Sequence, residues 1–363
     1  MFIRLISILI ILYYAFASQA QDVSMLLQQR AIQQINKPAN TGELAEQISE
    51  KNKTTESKIL SAYTWVVQNI KYSTDSELVI NAGLDPDAKI NVAFKRRKGT
   101  CENYAAIFND LCKRMGINSL VIYGYTQQNN RVDREAHTWC AVFVDDQWYL
   151  YDPTWDIGNS SNLLFYKISP QNFVTTHMPF DPLWQFLDHP VSHEQFEGKK
   201  HVQSTGYFNL KDSMKNYFVM DSLQRFQSSV KRMETFGIYN SKIKTNYLYQ
   251  KMNIEIINQG REVDLYNEGV ALLNEAVTGL NDFIILRNNK LTVTHSASEL
   301  HQMLKIVEDK ITTSIGKINE AENGDAQLRL DMDSFRERAE KLKKKLADQQ
   351  TFLASYLALD VKK

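Results

Sequence analysis

The sequence predicts an α+β domain with a small antiparallel sheet, followed by an all-helical bundle or coiled-coil domain. Three observations lead there. Between Thr55 and Met115 apolar residues recur at helical spacing, and between Leu120 and Tyr151 they change to β-branched and aromatic runs. Beyond Lys211 the strand signal is gone, and apolar residues alternate steps of three and four. Gly (14) and Pro (7) are scarce for 363 residues, which favours helices over a turn-rich sandwich.

The elements follow in order. Thr55–Tyr72 reads as a helix with Ile59, Tyr63, Val66, Val67 and Ile70 on one face. Thr100–Met115 is a second, with Tyr104, Ile107, Phe108, Leu111 and Met115 in a stripe and Gly116 as its C-cap. Leu120–Tyr125, His137–Val144 and Trp148–Tyr151 read as strands, the last two separated by the turn-like Asp145-Asp146. In the C-terminal part, Tyr266, Val270, Leu273, Val277, Leu280 and Ile284 form one helical seam, and Leu328, Met332, Phe335, Ala339, Leu342 and Leu346 form another. Between them Ser296 and Glu299 make a capping box that opens a third helix. With breaks near Gly237 and Asn288, the spacing predicts about four long helices. The expected division is a leader over 1–20, a mixed domain over 21–200 with its core at about 55–156 and a capping segment over 157–200, and a helical bundle over 201–363.

Composition excludes several classes. At 43% hydrophobic residues the chain is not intrinsically disordered. Its 42 basic and 42 acidic side chains leave no net charge, which argues against a nucleic-acid partner. No glycine-rich phosphate loop or nucleotide fingerprint occurs, no Cys-x-x-Cys is present, and no metal or cofactor is expected. Met1–Arg4, the apolar run Leu5–Phe16 and the small residues at Ser18 and Ala20 read as a secretory signal peptide. The run is shorter than the roughly 20 residues of a membrane span. The mature chain is expected to start at Gln21, in the periplasm or outside the cell, with no membrane anchor.

Any chemistry lies between Gly99 and Asp156. Cys101 opens a helix, His137 is placed at the start of a strand and Asp152 ends the next strand, so all three converge on one edge of the sheet. A thiolate is the reactive nucleophile, and helix N-terminal amides and an imidazolium both favour it. Arg96, Arg97 and Lys98 just upstream add positive charge. A histidine protonates the leaving group, an aspartate fixes the imidazole, and the backbone N–H of Cys101 serves as an oxyanion donor.

The surrounding residues sharpen this. GTCENYAAIF (99–108), REAHTWCAVF (134–143) and WYLYDPTWD (148–156) together resemble the transglutaminase-like superfamily, and SAYTWVVQNIKY (61–72) resembles its lead-in helix. The resemblance covers roughly Thr55 to Asp156. It implies a papain-like core with a triad of Cys101, His137 and Asp152, and a Trp139 that packs beside the imidazole. Tyr72, at the end of the lead-in, is a candidate side-chain oxyanion donor. Thr138 and Cys140 depart from the Ala and Asn that often flank that tryptophan. Residues 166–187 resemble a segment that caps the core in some relatives, and His177 within it reads as structural. Cys112 reads as a core residue, and a Cys112–Cys140 disulfide stays open.

Two functions fit. One is an exported, thiol-dependent acyl-transfer enzyme acting on peptide or amide bonds, with hydrolysis favoured over cross-linking and a protein or peptide as substrate. The alternative is a non-catalytic exported adaptor or assembly protein that uses the core and the C-terminal helices to hold a protein partner.

Overall fold

The computed structural model describes residues 35–74, 86–159, 162–198, 208–289, 295–321 and 326–360. The signal peptide expected over residues 1–20 lies outside them. The chain forms two compact units, Met1–Leu248 and Tyr249–Lys363.

The first unit opens with helices α1 (Thr41–Lys51) and α2 (Thr55–Asn69). Asn40 caps α1 by accepting the Glu43 N–H at 3.0 Å, and Thr54 and Ser57 cap α2 reciprocally. The helical spacing runs on to Tyr72, yet the helix stops at Asn69. Lys71–Tyr72 is instead strand β1, paired parallel with β2 (Lys98–Gly99). The Tyr104 hydroxyl donates to the Ile70 carbonyl, a group that a longer helix would need for its own ladder.

Helix α3 (Pro86–Arg96) leads into this pairing through Arg97, whose backbone is left-handed at φ 53°. Its guanidinium lies 4.5 Å from the Trp65 ring and 4.2 Å from Phe94, two rings stacked at 5.1 Å. The Arg97 carbonyl accepts the Lys71 N–H at 2.9 Å. One half-buried residue therefore holds the short parallel pair next to the start of α4 (Cys101–Arg114). Helix α4 buries Tyr104, Ile107, Phe108, Leu111 and Cys112 and ends at Gly116, which takes φ 74°.

Four antiparallel strands follow in the order β5-β4-β3-β6: β3 (Ser119–Gln128), β4 (Arg131–Val144), β5 (Gln147–Tyr151) and β6 (His177–Pro179). Both tight hairpins turn on two positive-φ residues, Asn129-Asn130 and Asp145-Asp146, side chains that tolerate this conformation. Strand β4 begins at Arg131, so His137 sits inside a strand and not at its start. The first half of β4 is largely polar and exposed, and it carries no apolar alternation from which its length could be read.

The sheet is covered on both faces. Cys140, Val142 and Tyr151 pack with α1, α2 and α4 in one cluster. Ile122, Trp139, Ala141 and Leu150 face the other way, under Phe173, Leu183, Phe186 and Met214. Phe173 ends the short helix α5 (Pro170–Phe173), and a second short helix α6 (His193–Phe196) follows. Met214 belongs to α7 (Leu210–Val219), and Met233 of α8 (Ser222–Phe236) packs with Tyr125 and Met178. Two helices beyond residue 200 thus cover the sheet domain. The packing break falls after Leu248, later than the change of sequence pattern near 200.

The second unit contains most of α9 (Ser241–Asn288), with α10 (Ala297–Glu320) and α11 (Ala326–Asp360). Lys310 pairs with Glu275 and Lys317 with Glu268, so α10 runs antiparallel to α9. Leu273, Leu280, Phe283, Leu304, Ile311, Phe335 and Leu342 form its core. Among the described residues this unit has three helices, not four, because α8 packs in the first unit. By length and apolar composition α9 is the one described helix long enough to cross a membrane. Its Leu273, Ala276, Leu280 and Phe283 are buried in the bundle.

Gly124 of β3 stands opposite both His137 and Pro179, and a Cβ there would lie 2.2 Å from the Met178 carbonyl oxygen and 2.4 Å from the Trp139 ring. Gly124→Ala is therefore expected to destabilise the first unit by about 1–3 kcal/mol through overpacking, or more if β6 detaches. The measurement is urea unfolding, and a midpoint equal to wild type would show that the sheet can yield there.

Candidate active site

The site begins at the head of α4. Thr100 is extended (φ −86°, ψ 179°), and Asn103 Oδ1 turns back to accept its N–H at 2.9 Å. Gly99 makes room for that side chain, since a Cβ at Gly99 would meet the Asn103 Cβ at 2.5 Å. Cys101 then takes the first helical position, partly exposed, among backbone amides that have no partner within the helix.

The structure brings Cys101, His137 and Asp152 together. His137 Nε2 lies 2.6 Å from Asp152 Oδ2, and Cys101 acts on the same imidazole, favouring its protonated form. With Nε2 engaged by the carboxylate, Nδ1 is the nitrogen left for the sulfur. Burial alone would pull the His137 pKa down. The charge and hydrogen bond of Asp152, joined by Cys101, override it and raise the imidazole to about 10. Asp152 is fully buried, which by itself would push its carboxyl up. His137 first and His177 second reverse this and hold it far below the usual carboxylate range.

The residues around Asp152 explain how an ionised group survives there. Its Oδ1 accepts the Thr154 N–H at 2.9 Å and the Trp155 N–H at 3.4 Å, from the turn that Pro153 starts. Its own N–H donates to the Phe165 carbonyl at 3.0 Å, and the Tyr63 hydroxyl reaches its carbonyl oxygen at 2.8 Å. Tyr63 also lies 2.6 Å from Asp156, whose carboxyl is pushed up mainly by burial.

His177, read from sequence as structural, is part of this cluster. Its Nε2 is 3.1 Å from the same Asp152 Oδ2, and it is fully buried. Nothing in its sequence context, a histidine in a short edge strand, signals the contact. Trp139 is fully buried, its ring 6.1 Å from that of His137 and 5.2 Å from that of His177. Tyr72 projects from β1, 50% exposed, where burial and then the nearby Cys101 and Glu135 raise its phenol. It lies on a strand rather than at a helix end. Arg97 does not serve the thiol, because its guanidinium lies over Trp65 and Phe94. Cys112 and Cys140 are free thiols in the core, both pushed up by burial, and Cys140 Sγ donates to the Ala105 carbonyl at 3.1 Å.

Among the described residues, His137, Asp152 and His177 are also the one group of His, Cys, Asp or Glu side chains close enough to share a cation. Their 2.6 and 3.1 Å separations are those of direct hydrogen bonds, with both imidazoles donating to one oxygen.

The site thus combines a partly exposed thiol at a helix head with a strand imidazole paired to a buried carboxylate. Residues 42–153 match the model of the transglutaminase-like superfamily, so the chain carries a transglutaminase-like domain. Among known proteins, it is 24% identical over 193 residues to the human kyphoscoliosis peptidase, which covers 48% of this chain and 28% of that protein. It is likewise 24% identical to the Lim and transglutaminase domain protein ltd-1 of Caenorhabditis elegans, over 39% of this chain and 22% of that protein. The chain thus spans less than a third of the length of these curated relatives. The periplasmic domain of TgpA from Pseudomonas aeruginosa superimposes with a TM-score of 0.28 at 19% identity, covering 36% of this chain and 48% of that one.

The ion pair makes stability depend on pH. Asp152, with its pKa lowered on folding, stabilises the fold above its unfolded value near 3.9 and loses that contribution as pH falls. His137, raised on folding, contributes fully below its unfolded value of about 6.5 and loses the contribution as pH rises toward about 10. Urea midpoints should therefore decline from about pH 6.5 to 10 in the wild type. They should decline less in His137→Gln, which keeps a donor but does not titrate. Equal slopes in the two proteins would remove His137 as the source.

Proposed function

We propose that this protein is an exported, thiol-dependent acyl-transfer enzyme that cleaves peptide or amide bonds, with residues 1–20 as a removable leader. One observation carries the reading: a partly exposed thiol at a helix head acts on an imidazole that is held by a buried carboxylate. The name of the human relative, a peptidase, supports hydrolysis over cross-linking.

In the proposed cycle the Cys101 thiolate attacks the amide carbonyl carbon, and the carbonyl oxygen takes up the negative charge. The backbone N–H of Cys101 donates to that oxyanion, and we assign the half-exposed Tyr72 phenol as its side-chain donor. As the C–N bond breaks, the His137 imidazolium gives its proton to the leaving amine, and an acyl-thioester remains on Cys101. Neutral His137 then takes a proton from water. The hydroxide displaces the sulfur, releases the acid and restores the pair. An amine in place of water would give cross-linking by the same steps. The second reading, a non-catalytic adaptor, draws on Tyr249, Met252, Ile256 and Val263 of α9, apolar residues that stay exposed at helical spacing.

The test is the pH dependence of iodoacetamide modification, with sites assigned by mass spectrometry. Cys101 is expected to react well below pH 8, while buried Cys112 and Cys140 stay unmodified. His137→Ala should raise the midpoint by at least about one unit and lower any peptide-cleaving activity by about 100-fold or more, and Cys101→Ala should abolish it. Modification of Cys101 only as an ordinary thiol, unaffected by His137→Ala, would shift the balance to the adaptor.

A further inference from the structure

His177 lies in a box of aromatic rings. Phe173 stacks on it at 4.0 Å, Trp155 lies at 4.3 Å, Trp139 at 5.2 Å and Phe165 at 5.5 Å, and none of its side chain is exposed. Its polar contacts are Asp152 at Nε2 and the Thr176 hydroxyl at Nδ1. The carboxylate has about four lone-pair directions, and all are taken: two amides on Oδ1, two imidazoles on Oδ2. No water is needed to complete it, and the surrounding rings leave a donor lost there with no obvious replacement.

The state of the His177 ring follows from its neighbours. Asp152, His137 and Asp133 are the charged groups that act on it, and Asp133 accepts the Thr126 hydroxyl at 2.6 Å. Burial outweighs the two carboxylates and lowers its pKa, so the ring stays neutral. Nε2 faces the Asp152 carboxylate, which can only accept, so it carries the ring proton and leaves Nδ1 to accept from the Thr176 hydroxyl at 2.8 Å, a shorter contact than that hydroxyl's 3.4 Å to the Phe173 carbonyl. A neutral donor suits the position. A second imidazolium would compete with His137 for the one negative charge.

We propose that His177 is a positioning residue for the thiol chemistry: its Nε2–H pins the Asp152 carboxylate in the orientation that receives His137. The inference rests on the acyl-transfer reading of Cys101, His137 and Asp152. With the Nε2–H removed, Oδ2 has an unfilled direction in a dry pocket and the carboxylate is free to turn. The hydrogen bond to His137 then lengthens, the imidazolium loses part of its counter-charge, and the Cys101 thiolate loses part of its partner. Besides the two histidines, the titratable groups that act on Asp152 are Tyr63, Asp156 and Cys140. His137 feels Asp152 and Cys101.

Two substitutions separate this role from packing. The amide nitrogen of His177→Gln overlays Nε2 and reaches Asp152, whereas that of His177→Asn overlays Nδ1 and falls short. Both lose the aromatic stacking, so both should lower the thermal midpoint. Only His177→Asn should raise the pH midpoint of Cys101 alkylation, by about half a unit to one unit, with modification about 3- to 10-fold slower on the acid limb. His177→Gln should recover most of that shift. If His177→Asn does not fold, Thr176→Val, which frees the tautomer, should show a smaller shift in the same direction. Equal shifts in the Gln and Asn variants, or none in either, would overturn the proposal. Asp152→Asn and His137→Ala belong in the same assay. If they move the midpoint and the His177 pair does not, only this inference fails; if they also leave it unchanged, the acyl-transfer reading falls with it.

Discussion

The ionised carboxylate of Asp152 has no contact with solvent, and the sheet domain is arranged around supplying it with donors. An unpaired charge at such a depth is strongly destabilising, and removing one partner of a buried ion pair typically costs about 3–5 kcal/mol. The donors come from separate elements: His137 from the middle of β4, His177 from edge strand β6, and two amides from the turn after β5. Tyr63 of α2 fixes the backbone of the same residue from the helical side. The strand order β5-β4-β3-β6 thus has a local consequence. It closes the edge of the sheet with the strand that carries the second imidazole, and Gly124 is the residue that lets that strand approach.

The thiol side is held by different forces. Cys101 owes its position to the start of α4, and that start depends on Gly99, on the Asn103 side chain turned back to Thr100, and on the β1–β2 pairing behind them. Arg97 secures the pairing by cation–π contact with Trp65 and Phe94, in a left-handed conformation that costs a non-glycine residue something to adopt. The two halves of the site are therefore anchored independently, one by a buried charge and one by aromatic stacking. They meet at the His137 ring.

What the sequence revealed and what it hid follow from this division. Cys101, His137 and Asp152 were legible because each sits in a distinctive local context: a helix start, a Trp-bearing strand, and an Asp-Pro-Thr turn. The sheet-facing stripes of α2 and α4 were legible from period. The first half of β4 was not, because strand pairing there is carried by backbone hydrogen bonds beneath polar side chains. The helical apolar spacing runs past Asn69 to Tyr72, while a tertiary hydrogen bond to Ile70 goes with the end of the helix and Tyr72 lies on a strand. His177 reads from sequence as packing, because a contact made across 25 residues by a three-residue edge strand leaves no periodic trace. The role of α7 and α8 was hidden for a related reason. Their apolar faces show that they pack, not what they pack on.

The balance of charges in the cluster also bears on how one imidazole can act first as acid and then as base. Two groups hold His137 protonated against burial: Asp152, permanently, and Cys101, only while the sulfur is unacylated. In the proposed cycle, formation of the thioester removes the second. The sulfur no longer carries charge once the leaving amine has taken the imidazole proton. What remains is a neutral ring in a buried setting, still oriented by Asp152, whose tendency to regain a proton from water is restored by the carboxylate alone. Hydrolysis of the thioester regenerates the thiolate, and with it the full stabilisation of the imidazolium. The carboxylate must therefore stay in place and ionised through both steps while the charge on its other side appears and disappears. An orientation fixed by a single histidine would loosen whenever that histidine became neutral. One fixed by two amides and a second imidazole, none of which changes charge during the reaction, would not.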